Sequence, residues 1–496
     1  MDSSTGLGDV AKITKNSSIY LTFQVSGRAI GIVAALLLAR AFSRAEYGVY
    51  SFLFSLLSSS PLLIMALGLA PSMVYHTAKY RAKDRFGEIS YLLKFSLLLS
   101  LLLSIITAVI IFFSADFIAF KFLEPRYSHL IKIICVVIPL LFISSIISAL
   151  LQGYEKIPYL GFLNFLSPLL ALLFILLLIH LSILNLTSLA YSIIVIYFIQ
   201  LTVLLVFLRK IKLKKPEKTA LKPFLSYGIK ASGSGILHPI NEQMPIWITA
   251  YFLTPELLGL FSLAYTIGRL MLFIPMAIRV SYTPTFTFRY SISNEEANNL
   301  FHNILRLVMF ISIPMLLCIV FFIDPFIIRF LPKYTPSIFT LKIISISFFL
   351  ASFTVILTAT LAGIGKPLDF TMVDFVRFAT FIPLSLILIP IFGIEGTGYS
   401  ILFSFVTCFI MAVILVRKKI NLSISRLKVR NVFVPTIILA ILFYTFSQFS
   451  DSVFEAVIMI ILGLLGYITL LIVFKAVTIR ETKSLLNALP IINKRK

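Results

Sequence analysis

Charged residues are scarce in this chain. Only 13% of its 496 residues are charged, whereas 59% are hydrophobic, and the mean hydropathy is +1.03. Soluble globular domains contain about 25% charged residues and about 45–50% apolar ones. A soluble chain of this length would also divide into several domains joined by polar linkers. The composition therefore excludes a soluble enzyme.

Cysteines are few and enzyme signatures are missing. The three cysteines, Cys135, Cys318 and Cys408, lie in apolar runs without the spacing of a zinc site or a disulfide framework. Residues 1–18 are polar, so we expect no removable signal peptide. No Walker, GxGxxG, HExxH or GxSxG motif appears in a supporting context. We therefore expect no enzyme, no metal site and no cofactor, and ATP-driven transport would need a partner subunit.

Long apolar runs dominate the sequence instead. A helix needs about 20 mostly apolar residues to cross about 30 Å of hydrocarbon, and fourteen segments have this length and character. They cover residues 18–40, 47–75, 92–113, 129–152, 158–180, 187–208, 226–252, 257–283, 300–323, 337–362, 368–391, 395–416, 432–449 and 453–474. We predict an all-α integral membrane protein with about 14 transmembrane helices.

The net charge of +23 arises from 43 basic and 20 acidic residues. If the N-terminus is cytoplasmic, 28 basic residues fall on the cytoplasmic side, six outside and nine within the spans. Basic residues concentrate in cytoplasmic loops of membrane proteins. We therefore expect a multi-pass protein of the cell (inner) membrane with both termini in the cytoplasm. The positive charge contacts membrane lipids, and we expect no nucleic acid partner.

Four pairs of motifs recur at a nearly constant offset. The matches are Gly48, Tyr50 and Ser51 with Gly259, Phe261 and Ser262 (offset 211), Pro125 and Tyr127 with Pro332 and Tyr334 (207), Lys132 with Lys342 (210), and Gly153 and Lys156 with Gly363 and Lys366 (210). The matched spans are an even number apart, so both halves have the same orientation. This pattern predicts a parallel repeat of six spans, with a substrate cavity between two bundles.

The repeat divides the chain into expected domains. Residues 1–208 form the N-terminal six-helix bundle, which we call the first half, and 226–416 form the C-terminal six-helix bundle, the second half. Residues 209–225 form a basic cytoplasmic linker. Residues 417–496 contain a basic loop, helices 13 and 14 and a cytoplasmic tail.

The corner motifs resemble those of a known family. Leu38-Ala-Arg40, Glu46-Tyr-Gly48, Leu258-Gly-Leu-Phe261 and Gly363-Ile-Gly-Lys366-Pro367 are similar to the polysaccharide-transporter, Wzx-type flippase branch of the multidrug/oligosaccharidyl-lipid/polysaccharide (MOP) exporter superfamily. The resemblance runs from about Lys15 to Lys475. It implies two bundles around a V-shaped cavity and transfer of an undecaprenyl- or dolichyl-linked oligosaccharide to the outer leaflet. The family often has an acidic residue in the seventh span, which Glu242 matches, although Pro245 departs from its pattern.

Ionisable residues inside the spans are the candidate site. They are costly in hydrocarbon, at about 2.5–3.5 kcal/mol each, and usually face a cavity or a partner. Arginine suits a phosphate because its planar guanidinium makes two parallel hydrogen bonds. The predicted phosphate- or pyrophosphate-binding residues are Arg28, Lys230, Arg269, Arg279, Arg306 and Arg377. Pairing within the bundle, of Asp374 with Arg377 or Glu242 with Arg269, is the structural alternative.

Further polar residues share these spans. The candidates for coupling to Na⁺ or H⁺ are Glu242, Asp369 and Asp374. The expected polar lining consists of Gln24, Ser234, His238, Asn241 and Tyr265. In the seventh span, Lys230, Ser234, His238 and Asn241 or Glu242 recur at helical spacing, which predicts one polar stripe on an otherwise apolar helix. Pro239 and Pro245 should bend the end of this helix.

The predicted function is a flippase for an anionic lipid-linked oligosaccharide, working by alternating access as a monomer. Its pathway partners would be glycosyltransferases or a polymerase. A peptidoglycan-precursor flippase and a multidrug-type cation antiporter of the same superfamily are the alternatives. A cation antiporter would need acidic residues in its cavity to attract its substrate, whereas arginines predominate among the charged residues of these spans. A membrane-embedded glycosyltransferase would need a large outer loop, and the longest outer loops have only about a dozen residues.

Overall fold

The computed structural model describes residues 3–61, 67–420, 429–448 and 452–474, and no β-strand occurs within them. By their contacts the residues form two units, Met1–Ser262 and Leu263–Lys496. This division falls between Ser262 and Leu263, well beyond the predicted linker 209–225, and the predicted domain boundaries stay predictions. Arg426, Lys428 and the basic tail from Lys475 lie outside the described residues, so the predicted charge distribution stays a prediction too.

The first unit consists of helices that follow the predicted apolar segments. They are α1 (Ser3–Ala41), α2 (Arg44–Ser59), α3 (Leu69–Arg81), α4 (Phe86–Phe113), α5 (Ala115–Phe122), α6 (Ser128–Ile134), α7 (Val137–Gly153), α8 (Ile157–His180), α9 (Leu186–Leu208), α10 (Leu221–Ala231), α11 (Gly233–Phe252) and the start of α12 (Pro255–Gly268). A 3₁₀ turn at Pro125–Tyr127 joins α5 to α6.

The second unit continues from α12 with equally long helices. They are α13 (Phe273–Ile292), α14 (Asn294–Phe330), α15 (Ile338–Gly363), α16 (Pro367–Phe392), α17 (Ile394–Arg417), α18 (Val429–Ser447) and α19 (Val453–Val473). Two 3₁₀ segments, Arg269–Leu272 and Pro332–Ser337, separate α12 from α13 and α14 from α15.

Within the described residues, eleven helical segments are long and apolar enough to cross a membrane. The all-α, multi-pass fold is therefore confirmed. The predicted spans 47–75, 226–252 and 432–449 do not meet the same criteria. The first is divided into α2 and α3, with Gly68 between them at φ 59°. The third is the shorter apolar helix Asn431–Ser447.

The seventh span is two helices, which corrects one prediction. α10 ends at Ala231 and α11 begins at Gly233, with Ser232 between them. Lys230 therefore lies on a different helix from His238, and the predicted stripe is not continuous. Asn241, Glu242 and Gln243 lie in the middle of α11, and such polar residues lower the hydropathy of a span.

The family-like corner motif before the second span has a local physical basis. Ser43 is the N-cap of α2, where its hydroxyl accepts a hydrogen bond from the Glu46 backbone N–H at 3.2 Å. The Glu46 carboxylate accepts one in return from the Ser43 backbone N–H at 2.8 Å. Such a capping box satisfies two otherwise unpaired donors at a helix start. The Ser43–Glu46 spacing therefore determines where α2 begins.

Gly48 and its repeat counterpart Gly259 lie at one contact inside the first unit. A Cβ atom at Gly48 would collide with the carbonyl oxygen of Pro255, and one at Gly259 with that of Arg44. Only glycine permits backbones to approach this closely. The two matched corners of the repeat therefore pack directly against each other.

A second matched pair of glycines supports equivalent helix contacts. Gly153, at the end of α7, packs on α3, where an added Cβ would lie 2.6 Å from Cβ of Thr77. Gly363, at the end of α15, packs on α13, where the same atom would lie 2.8 Å from Cδ1 of Phe286. The sequence repeat thus corresponds to the same helix–helix contact made once in each unit.

Candidate substrate-binding residues in the membrane spans

Arg28 lies on α1, inside the candidate span Ile19–Ala41. Its neighbour Gly27 packs so closely on α8 that a Cβ atom would collide with the carbonyl oxygen of Asn164. This contact fixes the rotation of α1, since side chains one residue apart lie about 100° apart around a helix. Arg28 is consequently exposed, and Gln24, one turn earlier, is half-buried.

The polar residues of the seventh span have different surroundings. Lys230 is exposed at the end of α10. On α11, Asn241 is buried, at 1% exposure, whereas His238 and Glu242 are half-buried. The side chain of Ser234 lies outside the described part of the chain. The same helix is tied to α2 by the indole N–H of Trp247, which donates to Oγ of Ser55 at 3.0 Å.

Arg269 lies at a break in a long membrane helix. It begins the 3₁₀ segment Arg269–Leu272 between α12 and α13. Gly268 packs against α15, where a Cβ atom would lie 2.7 Å from Cγ2 of Ile344, and the Ser352 hydroxyl donates to the Met271 carbonyl at 3.2 Å. A 3₁₀ stretch within a helix often marks a functional hinge. Arg269 itself is exposed.

Tyr265 supports this arginine from one turn earlier. The Arg269 guanidinium carbon lies 5.5 Å from the centroid of the Tyr265 ring. Tyr265 is buried, at 2% exposure, and packs on Phe348 of α15 with ring centroids 5.5 Å apart. A cation within about 6 Å of an aromatic face is attracted to it. The aromatic ring thus holds the arginine beside the break in the helix.

A cluster of charges joins α13, α16 and α17. Asp374 and Arg377 are both buried on α16, at 8% and 6% exposure. The Asp374 carboxylate interacts electrostatically with Arg279 of α13. Asp374 and Arg377 each interact electrostatically with the thiol of Cys408 on α17. The structure therefore brings together three of the predicted residues, Arg279, Asp374 and Arg377.

Aromatic rings hold the two arginines of this cluster. The Arg377 guanidinium carbon lies 4.1 Å from the centroid of Phe405 on α17, and that of Arg279 lies 5.7 Å from Phe370 on α16. Sequence reasoning missed both phenylalanines. The chain contains 47 Phe, and nothing in the apolar pattern distinguishes these two from lipid-facing ones.

Two further predicted residues of the second unit, Arg306 and Asp369, lie on α14 and at the start of α16. Arg306 is buried on α14, at 7% exposure, with its guanidinium carbon 6.0 Å from the Phe310 ring. Asp369 is half-buried in the first turn of α16. No group of three or more His, Cys, Asp or Glu side chains in the described ranges is placed to hold a metal ion.

The sequence matches a family model described as polysaccharide biosynthesis protein over residues 37–334. The chain belongs to this family. No curated protein sequence matches it significantly. The family match begins at the end of the first predicted span and ends just before the tenth. It includes Arg269, Arg279 and Arg306 but ends before the Asp374–Arg377 cluster.

Solved structures of transporters share the fold. The chain superposes on the lipid II flippase MurJ in an inward closed conformation with a TM-score of 0.75 and 14% identity, covering 91% of this chain and 98% of that one. An inward-facing multidrug resistance MATE family transporter of the MOP superfamily gives 0.70 and 12%, covering 82% and 98%. A MOP superfamily transporter from Pyrococcus furiosus, described by the reverse polarity of its binding pocket, gives 0.57 and 12%, covering 82% and 96%. The protein has the fold of the MOP superfamily.

Proposed function

We propose that this protein is a flippase that moves an anionic polyprenyl-(pyro)phosphate-linked oligosaccharide from the cytoplasmic to the outer leaflet of the cell membrane by alternating access. The observation that carries the proposal is the exposed position of Arg28 and Arg269 inside membrane-spanning helices. Membership of the polysaccharide biosynthesis family supports the choice of a glycan-bearing substrate.

Both exposed arginines lie far from the ends of their membrane spans. Arg28 lies nine residues into its span and Arg269 fourteen residues into the span Pro255–Ile292. At 1.5 Å per residue these positions are roughly 14 Å and 21 Å from the span ends. An arginine at such depth costs about 2.5–3.5 kcal/mol or more in hydrocarbon. Both side chains are therefore suited to a water-filled cavity rather than to lipid.

A phosphate group suits an arginine at either position. Guanidinium groups bind phosphate through two parallel hydrogen bonds and keep their charge at any physiological pH. The polyprenyl chain would stay in lipid while the phosphate and sugars cross through the cavity. A cation antiporter is disfavoured, because exposed arginines repel its substrate.

The coupling ion is part of the proposal. Glu242 and Asp369 are half-buried within or beside the spans and Asp374 is buried. These carboxylates are the groups that would bind Na⁺ or H⁺ and link its gradient to the change of access. Flipping at an undiminished rate in the absence of any ion gradient would contradict this role.

The experiment uses cells whose own flippase for a surface glycan has been deleted. We expect the wild-type chain to restore glycan export, and Arg28→Ala and Arg269→Ala each to reduce it at least tenfold. Lys121→Ala is the matched control, since Lys121 is an exposed cation outside the spans. Membrane levels of all variants are measured by immunoblot.

Two outcomes would overturn the proposal. Export at the wild-type level in both arginine variants would remove the arginines from substrate binding. Rescue of a strain lacking its peptidoglycan-precursor flippase, without rescue of glycan export, would assign the protein to that alternative substrate.

A further inference from the structure

A small groove lies on the surface of the first unit, and none of the candidate substrate-binding residues lines it. It is lined by Ser90, Leu93, Lys94, Leu97, Leu98, Leu213 and Lys214 and has a volume of about 440 Å³. Small-molecule sites range over roughly 300–1,000 Å³. One wall is the first part of α4 and the other is the basic segment that follows α9.

The basic segment is held at three points, two of them on α4 and one at the end of α7. The Tyr154 hydroxyl donates to the carbonyl oxygen of Lys212 at 2.9 Å, and the Lys212 ammonium lies 4.8 Å from the centroid of Phe86. Further on, the Glu217 backbone N–H donates to the carbonyl oxygen of Gly87 at 3.0 Å. Leu213 and Lys214 lie between these anchors and are therefore held at the groove.

The floor of the groove faces lipid. Leu98 is 59% exposed on α4, which crosses the membrane as Phe86–Phe113. Lys94 is exposed on the same helix, eight residues or roughly 12 Å from its start. A lysine at this depth directs its ammonium group toward the headgroup region. The groove thus places Leu97 and Leu98 deeper along α4 than Lys94, whose ammonium group extends toward the headgroups.

No acidic side chain in the described ranges neutralises the two lysines. Neither Lys94 nor Lys214 forms an ion pair with any residue that the structure describes. The nearby Glu88 pairs with Arg85. The Glu217 side chain packs on Gly87, with Cδ 2.5 Å from where a Cβ atom would lie, two helical turns before Lys94. The groove therefore has positive charge beside an apolar floor.

We infer that this groove binds a phosphate-bearing lipid, with the phosphate between Lys94 and Lys214 and the first part of an acyl or prenyl chain along Leu93, Leu97 and Leu98. Charge complementarity and depth together favour this occupant, because a free anion would leave the leucines uncovered and a zwitterionic lipid would gain less from two cations. The inference does not rest on the proposed transport activity.

Native mass spectrometry of the purified full-length protein tests this site. We expect phosphatidylglycerol to bind more tightly than phosphatidylcholine with the same acyl chains. Lys94→Gln and Lys214→Gln should each weaken phosphatidylglycerol binding about fivefold, the factor expected for one basic residue near an anionic headgroup, and the double variant should weaken it further. Phosphatidylcholine binding should not change.

Lys215→Gln is the matched control, because Lys215 is an exposed lysine of the same segment that does not line the groove. An unchanged elution profile in size-exclusion chromatography checks that each variant is folded. A polyprenyl phosphate, tested in the same way, identifies the lipid source. Tighter binding than phosphatidylglycerol assigns the groove to the carrier lipid, and weaker binding assigns it to membrane phospholipid.

Three results would overturn the inference. Undiminished phosphatidylglycerol binding in the folded double variant would exclude the two lysines. Equal binding of the two phospholipids would exclude recognition of a net negative charge. Displacement of the lipid by inorganic phosphate at equal concentration would show that the chain contributes nothing.

Discussion

The ion pair at the start of the fourth span can be compared with its counterpart in the second half. Lys132 pairs with Asp116 at 3.0 Å, and Lys342 pairs with Asp324 at 2.8 Å. A 3₁₀ turn that begins with proline lies between the partners in both halves. The two corners therefore have the same construction, although their sequences match at only a few positions.

The two halves share these corners but differ in the charged residues within their membrane spans. The second half contains Asp374 and Arg377 on α16. The repeat offset of 210 places Asn164 and Ser167 at the equivalent positions of α8. In the first half, Arg28 lies well inside a span and Arg40 at the end of the same span, whereas Arg269, Arg279, Arg306 and Arg377 lie in the second half. Features present in both halves maintain the fold, and we assign function to those present in one.

The largest effect is expected from disrupting the close contact between the matched corners at Gly48 and Gly259. Gly259→Val would force a side chain into the carbonyl oxygen of Arg44. Because backbone cannot yield as a flexible side chain can, we expect little folded protein. Overpacking alone costs about 1–3 kcal/mol. The yield of monodisperse protein in size-exclusion chromatography measures this loss.

Gly466→Val is the control for this prediction. Gly466 is also a helical glycine in a membrane span, but no atom lies within 4 Å of where its Cβ would be. The control should retain its normal yield. Equal yields of the two variants would contradict the close approach of the matched corners.

The next largest effect is expected when a charged residue that only the second half contains, Arg377, is replaced. Arg377→Gln should lower the flipping rate about tenfold or more, because it removes a buried cation from the cluster of Arg279, Asp374 and Arg377. Arg377→Lys should restore part of the rate, since it keeps the charge without the planar guanidinium. The repeat counterpart Ser167→Ala should leave the rate unchanged. Equal defects in Arg377→Gln and Ser167→Ala would contradict the assignment of function to the unshared residues.

A smaller effect distinguishes the two ion pairs. Lys342 and Asp324 have side chains 25% and 42% exposed, whereas Lys132 and Asp116 are 34% and 72% exposed. Exposed ion pairs contribute about 0–1 kcal/mol. Lys342→Gln should therefore lower the melting temperature slightly, and Lys132→Gln should lower it less. A larger loss for Lys132→Gln would reverse this ranking.

The smallest effect concerns the pH dependence of the first corner. A hydrogen bond from the Ser128 hydroxyl, followed by one from Lys132, lowers the pKa of Asp116 below its usual range. The carboxylate therefore stabilises the fold above its unfolded pKa of about 3.9, and this contribution is lost as the pH falls through the folded value. The difference in melting temperature between wild type and Asp116→Asn should shrink below about pH 4. A difference that grows on acidification would contradict the hydrogen-bonded carboxylate.

Most of the fold follows from the sequence, because apolar length and repeated motifs are local properties. The fold class and the matched corners at Gly48 and Gly259 were predictable in this way. The breaks were not predictable. Ser232 divides the seventh span and Arg269 begins a 3₁₀ segment within an apolar run that reads as continuous, since tertiary packing rather than local propensity determines these positions.

The candidate site was predictable in residue type but not in arrangement. Charges within hydrocarbon are conspicuous, so Arg377 and Asp374 could be identified from the sequence. Their aromatic support could not, because Phe405 is one phenylalanine among many in apolar helices. The positions of Arg28 and Arg269 on exposed faces depend on packing at the neighbouring glycines Gly27 and Gly268. This packing involves residues far away in the sequence, so the sequence pattern does not reveal it.

The most direct test measures flipping in proteoliposomes that contain only this protein. Two fluorescent substrates are compared, an oligosaccharide on polyprenyl pyrophosphate and the same oligosaccharide on an uncharged polyprenyl ether. If the arginines in the spans recognise phosphate, the first should be flipped and the second at least tenfold more slowly, with the difference lost in the Arg28→Ala, Arg269→Ala double variant. Equal flipping of the two substrates by the wild-type protein would contradict the account.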